Sequence, residues 1–189
     1  MLFRSEPIGS MLVAQGKVRN IADQAVDMPY ADEYCCAVLV NGKFLARNPK
    51  ASAAATRASL KAAKWVEANP KAAAKLSVEK KYLASTADQN TIAISHLRYV
   101  PSVSGAQIAV RLAAVEMKTA GMLSPTTDVE GLAKRAFVSL DGVTDEWLNS
   151  LPVEKVAGGQ VTRDWIRLQY AKFDPKDVFC ALCLPPENP

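Results

Sequence analysis

The sequence has few of the side chains that most often carry out chemistry. It contains one histidine, His96, and it lacks both a Gly-x-Ser-x-Gly elbow and a strand–loop–lysine phosphate loop. A single histidine with no nucleophile at motif spacing is more often a surface or core residue than a general base. These features predict that the chain is not an enzyme.

Long apolar runs are also missing. No stretch approaches the roughly 20 apolar residues that a membrane-spanning helix needs. The first residues, Met-Leu-Phe-Arg-Ser, have neither the apolar region nor the cleavage site of a signal peptide. We expect either a cytoplasmic protein or one whose amino terminus lies upstream of this chain.

Basic residues are not concentrated in any one stretch. The net charge is +4 and the sequence pI is about 8.9, but the lysines are spread over predicted helices that also carry glutamates, and Lys80-Lys81 is the only pair of adjacent lysines. Nucleic-acid-binding proteins usually show a basic stripe with aromatic residues between the charges. We therefore predict no nucleic-acid partner.

The four cysteines do not have the spacing of a zinc site. Cys35 and Cys36 are adjacent, and Cys180 and Cys183 form a single Cys-x-x-Cys. Adjacent residues of an extended strand point to opposite faces, so the first pair would chelate a metal poorly. We predict no structural metal and no cofactor.

Helical signals are what the sequence has in abundance. Asn48-Pro49 and Asn69-Pro70 each place a capping residue before a proline, which is typical of a helix start. Gly121 ends a periodic apolar stretch, and Thr127 to Glu130 reads as a capping box. These signals, with 3.6-residue periodicity, predict helices near 49–68, 71–80, 88–97, 105–120 and 128–137.

Two stretches have the composition of strands. Tyr34 to Val40 reads as a buried strand, and Val18 to Ala22 as a shorter one. Local rules make Asn41-Gly42 the turn of a hairpin, and Gly158-Gly159 indicates a domain edge. The predicted fold class is therefore α/β and helix-rich.

Several motifs recur in an order that resembles a known family. They cover residues 6–160 and comprise Glu6-Pro7 with Gly16-Lys17, Cys36–Val40 with Phe44–Pro49, Leu60–Val66 with Asn69-Pro70, Tyr99–Ser102, and Thr127–Val129 with Ala136–Val138. In this order they resemble the later half of the nitrate/sulfonate/taurine-type solute-binding proteins of ABC importers, a group that includes binders of thiamine precursors.

The resemblance implies a partial type II periplasmic-binding-protein fold, the later half of a two-lobe protein. Residues 1–40 would be a remnant of the second lobe, residues 41–160 the helical part of the first lobe, and residues 161–189 an unrecognised tail. Asn41-Gly42 would then lie at the crossover between lobes. The implied site is a cleft, with Glu6, Tyr30 and Tyr34 as candidate ligand-binding residues.

The function implied by the resemblance is solute binding for import. The solute would be a small anionic or polar molecule of the nitrate, sulfonate or pyrimidine-precursor class. The full-length protein would be periplasmic or extracytoplasmic and would deliver the solute to an ABC permease in the membrane.

An alternative function remains open, a truncated structural or interaction fragment that no longer binds solute. The family usually has a tryptophan where Ser5 stands, and the family's earlier half has no counterpart here. Helix faces that would cover the absent sheet predict an exposed apolar surface and self-association. These faces carry Trp65, Val66, Ile108, Leu112, Val115, Phe137 and Val138.

Overall fold

Helices dominate the described part of the chain. A computed structural model describes residues 7–25, 27–34 and 36–162, and 56% of these residues are helical. In chain order the helices are α1 (Ile8–Ala14), a 3₁₀ turn (Tyr30–Asp32), α2 (Gly42–Arg47), α3 (Pro49–Ala68), α4 (Pro70–Glu79), α5 (Ala87–His96), α6 (Val103–Thr119), α7 (Val129–Ala136) and α8 (Asp145–Ser150).

The α/β prediction is wrong for these residues. They form no strand or sheet, so they do not have the α/β architecture of a periplasmic-binding-protein fold. Val18 to Ala22 is irregular, and residues 36–40 are assigned to no helix, turn, bend or strand. The sequence pattern reports a preference for extended backbone, whereas a sheet also needs a second strand to accept its hydrogen bonds.

The five predicted helices are confirmed to within two residues at each end. Pro49 and Pro70 are the first residues of α3 and α4, as their fixed φ favours. Gly121 follows α6 with φ +73°, and the Met122 N–H donates to the Met117 carbonyl at 2.8 Å. That bond closes the turn by which a residue in the left-handed conformation ends a helix.

Two predictions about local backbone structure, one of a hairpin turn and one of a helix cap, are corrected. Asn41 is not in a hairpin turn. Its side-chain oxygen accepts from the N–H groups of Lys43 and Phe44 at 3.0 and 3.1 Å, and it starts α2. At α7 the capping residue is Asp128 rather than Thr127, because the Asp128 carboxylate accepts from the Gly131 N–H at 3.0 Å.

The chain divides into two units, and neither is a continuous stretch. Of the described residues, the first unit holds 7–32, 65–99 and 153–162, and the second unit holds 33–64 and 100–152. The expected division at residues 40 and 160 stays a prediction. Within the first unit, α4 packs against α5, and α1 also contacts α5. Within the second unit, α6 packs against α7.

Asn69 ties the first unit together. Its side chain is 0% exposed. Its amide nitrogen donates to the carbonyls of Trp65 and Glu154, and its amide oxygen accepts from the Val156 N–H and the Gln160 side chain, all at 2.7–3.0 Å. Asn69 therefore does not cap α4, as the sequence suggested, but joins α3 to the segment 154–160.

The N-terminus of α4 is instead satisfied by that same segment. The Gly159 carbonyl accepts from the N–H groups of Lys71 and Ala72 at 2.9 and 3.4 Å. A Cβ at position 159 would lie 3.1 Å from the Ala72 Cβ and 3.0 Å from the Val156 carbonyl oxygen, so the close approach favours glycine. Gly158-Gly159 thus turns the chain against α4.

Three cations in the second unit bind backbone carbonyl groups. The Lys64 ammonium donates to the carbonyls of Leu148 and Leu151 at 2.7 and 3.1 Å, which satisfies the end of α8. Arg57 donates to the Asp141 carbonyl at 2.9 Å, and Lys118 to the Thr127 carbonyl at 2.8 Å. These long side chains connect α3 to the end of α8 and to the loop after α7, and α6 to the loop before α7.

Small residues make up the core of the described part. The buried apolar residues there are Ala53, Ala73, Ala74, Ala93, Ala114, Ala133, Val143 and Leu148. Leu148, which is 2% exposed, is the only one of these side chains that is larger than valine. The predicted face of α3 is displaced: Ser52, Ala53 and Thr56 are buried, whereas Ala58 and Ala62 are exposed.

Candidate functional site

The three predicted ligand-binding residues are not gathered into a described site. Glu6 lies outside the described residues. Tyr30 is exposed and begins the 3₁₀ turn of the first unit, while Tyr34 is exposed and belongs to the second unit. Their role as ligands stays a prediction.

Tyr34 has a defined contact inside the second unit. Its hydroxyl donates to the Val100 carbonyl at 2.9 Å. A Cβ at Gly105 would lie 2.8 Å from Cε2 of the Tyr34 ring and 2.9 Å from its hydroxyl oxygen. Glycine at 105 therefore lets the ring pack directly on the first turn of α6, and Tyr34 anchors the chain that follows it.

The residues after that anchor form the most unusual surface of the second unit. Residues 36–40, Cys-Ala-Val-Leu-Val, contain no helix, turn or bend, and we call them the extended segment. Val38 is 46% exposed and Leu39 is 91% exposed. The segment ends at Asn41, whose side chain starts α2. An apolar strand-like run thus lies in solvent between two fixed points, Tyr34 and Asn41.

Asp145 accepts several hydrogen bonds in the second unit. Its carboxylate accepts from the N–H groups of Val103 and Ser104 at 2.7 and 2.9 Å and from the Ser102 hydroxyl at 3.2 Å. The Ser104 hydroxyl, then the N–H groups of Ser104 and Val103, lower the pKa of Asp145 from 3.8 to about 2. Asp145 therefore begins α8 and also caps the N-terminus of α6, which favours a negative charge.

The chemistry of this arrangement is structural. Two backbone N–H groups and the Ser102 hydroxyl donate to the Asp145 carboxylate, whose pKa is lowered, and a base with a lowered pKa accepts a proton poorly at neutral pH. The pKa of Glu146 is also lowered, by its own backbone N–H and by the Thr144 hydroxyl, which is the usual effect at a helix start.

Metal-ligand clusters and membrane-spanning helices do not occur among the described residues. No group of three or more His, Cys, Asp or Glu side chains there could hold a metal ion. Across the same residues, no helix is both long and apolar enough to cross a bilayer. Cys35, Cys180 and Cys183 lie outside the described residues, and so does the side chain of His96.

Three residues with structural roles escaped the sequence analysis. No local sequence pattern indicates that Asp145 binds the N-terminus of α6. Asn69 was predicted to cap α4, and no contact was predicted for Lys64. Their partners are 84 to 91 residues away in sequence, so no local pattern could identify them.

Comparisons with known proteins add no relative. No family model, no curated protein and no solved structure matches the chain. The resemblance to solute-binding proteins therefore rests on the sequence motifs alone.

Proposed function

We propose that this chain is a non-enzymatic interaction protein that self-associates through apolar surface of its second unit. The observation that supports the proposal is that, in this unit, many large apolar side chains are exposed and few are buried. In the described residues of the second unit, Leu148 is the one fully buried large side chain, while many others are exposed: Val38, Leu39, Phe44, Val100, Ile108, Leu112, Val115, Met117, Met122 and Val138.

The size of this exposed surface supports an interaction role. Large apolar side chains scattered singly are normal on a protein surface, but several close together usually belong to an interface. Ile108, Leu112 and Val115 are spaced to share one side of α6. Each such side chain gains about 1.5–3 kcal/mol when it is fully buried, so burying a few would drive association.

A second candidate function is solute binding for an ABC importer. The order of the family motifs from Glu6 to Gln160 favours it, and it would place the full-length protein outside the cytoplasm with a membrane permease as partner. Tyr30 and Tyr34 are exposed and available to a small anionic or polar solute. A binding cleft of the expected kind needs two α/β lobes, and the described residues supply no sheet for either.

Two measurements on the purified chain separate the candidates. Sedimentation velocity across a concentration series tests association, and we expect species heavier than the 20.4 kDa monomer at tens of micromolar. Isothermal titration with nitrate, taurine, an alkanesulfonate and a pyrimidine precursor tests solute binding, and we expect no heat of binding. A compact monomer that binds one of these solutes at sub-micromolar concentration would favour the second candidate and reject the first.

A further inference from the structure

The backbone of the extended segment has unused hydrogen-bonding groups. Within the described part of the chain, the residues 37–40 make no backbone or side-chain hydrogen bond. Such an extended run presents a row of N–H and C=O groups that a second strand can pair with. The composition agrees, because valine is enriched in strands.

Both sides of the segment are apolar. In an extended chain Cys36, Val38 and Val40 share one side, and Ala37 and Leu39 share the other. Strands with apolar residues on both sides are usually covered on both faces. Here residues 36–39 are exposed, and exposed Phe44 and Tyr34 extend the apolar surface at either end. The segment therefore has the sequence of a covered strand and the exposure of an uncovered one.

Charges at the two ends favour one pairing direction. Glu33 precedes the segment and Lys43 follows it, and neither side chain pairs with another described residue. In an antiparallel pair of two copies centred on Val38, Glu33 of each copy lies opposite Lys43 of the other. A parallel pair would place like charges side by side, which is unfavourable.

We propose that the extended segment pairs antiparallel with the same segment of a second copy, with the two Val38 residues opposite each other at a twofold axis. The proposal rests on the self-association proposed above and names the surface that makes it. A twofold pairing of one segment with itself closes after two copies, as in most homodimers. The segment contains no charge that would oppose the pairing.

Cysteine cross-linking tests the register. In a variant whose native cysteines are replaced by serine, single cysteines are placed at positions 37, 38 and 39 and oxidised. Cα atoms directly opposite in an antiparallel pair lie about 4.5–5.5 Å apart, within reach of a disulfide. We expect Val38→Cys to give most of the disulfide-linked dimer, and Ala37→Cys and Leu39→Cys to give little. Equal yields at the three positions would overturn the register.

A matched pair of variants tests the surface. Leu39→Pro removes a backbone donor from the segment, and Leu76→Lys places a charge on α4 of the first unit, at an apolar position that is 44% exposed and lies outside the proposed surface. We expect Leu39→Pro to raise the dimer dissociation constant by about tenfold or more, with unchanged far-UV circular dichroism, and Leu76→Lys to change it less than about threefold. Val38→Lys serves as a second segment variant and should match Leu39→Pro.

The outcomes distinguish this inference from the proposed function. A dimer that withstands both segment variants would reject the extended segment as the interface while leaving self-association in place. A wild-type chain that is monomeric at all concentrations would reject both.

Discussion

The ammonium nitrogen of Lys64 lies 2.7 Å from the carbonyl oxygen of Leu148 and so joins the C-terminal part of α3 to the end of α8. The same ammonium reaches the Leu151 carbonyl at 3.1 Å. The last carbonyls of a helix have no partner within the helix, and they carry partial negative charge. A lysine placed on them therefore acts as an external cap.

Replacing Lys64 by methionine should destabilise the protein. The variant keeps most of the aliphatic stem but removes the donor, and hydrogen bonds to charged groups contribute about 1.5–3 kcal/mol each. Because the pair is only partly buried, we expect a loss of about 1–2 kcal/mol in the free energy of unfolding, measured by urea titration. Lys61→Met, at an exposed position of the same helix, is the control and should change stability by less than about 0.5 kcal/mol.

Asp145 should make stability depend on acid pH. Its pKa is about 2 in the folded protein and 3.8 as an ordinary carboxyl, so the folded state favours the charged form. The resulting stabilisation is complete above about pH 4–5 and is lost as the pH falls through the folded pKa. After allowing for solvent screening we expect about 1 kcal/mol.

The measurement is a pH series of unfolding free energies for wild type and Asp145→Asn. The difference between the two proteins should be constant near neutral pH and should shrink between about pH 4 and pH 2. Asp141→Asn is the control. Arg57 binds the backbone carbonyl of Asp141 and not its side chain, so this variant removes a carboxylate without removing that bond. A difference that stays constant down to pH 2 would show that the Asp145 carboxylate does not stabilise α6.

Asn69→Ala should be among the most destabilising substitutions in the first unit. It removes four hydrogen bonds and leaves the Glu154 carbonyl and the Val156 N–H without their side-chain partner. An unsatisfied buried group costs about 1–3 kcal/mol, so we expect a loss of about 2–4 kcal/mol. Amide hydrogen exchange should show faster exchange at Val156. Asn48→Ala, which removes one bond to the Phe44 carbonyl, is the comparison and should lose less than about 1 kcal/mol.

Gly105→Ala should displace the Tyr34 ring. The added Cβ would lie within 3 Å of one ring atom of Tyr34, Cε2, and of its hydroxyl oxygen, and overpacking of this kind costs about 1–3 kcal/mol. Gly42→Ala adds a methyl group to a helix start with nothing within 4 Å and should be neutral or slightly stabilising. In the double variant Gly105→Ala/Tyr34→Ala the steric loss should disappear. A double-mutant cycle with no coupling would contradict the contact.

Helix positions could be predicted from the sequence because their signals are local. Pro49, Pro70 and Gly121 act through their own backbone geometry, and the helices begin and end where these residues place them. The extended segment could be predicted only in part. It forms no helix or turn, which agrees with its valines, but whether such a segment pairs in a sheet depends on residues elsewhere, which a local pattern does not contain.

The candidate surface and the polar connections were beyond local prediction. Asn41 and Asn69 each stand directly before a helix, yet the Asn41 side chain caps α2 and the Asn69 side chain binds segment 154–160. The difference is set by the segment that returns to Asn69 from 85 to 91 residues further along the chain. Lys64 is likewise 84 to 87 residues away in sequence from the carbonyls that it binds at the end of α8.

The Asn69 connection also sets an order for folding during synthesis. Helix α4 leaves the ribosome early, but the carbonyl that satisfies its first N–H groups belongs to Gly159. The first unit is therefore incomplete until residue 160 has been made, whereas the second unit has all its residues once 152 has emerged. Contacts this distant in sequence form slowly, because a long loop must close first. Between the synthesis of residue 96, where α5 ends, and that of residue 160, the nascent chain thus holds α4 and α5 without the segment that Asn69 binds, and this helix pair is the intermediate that a chaperone would protect.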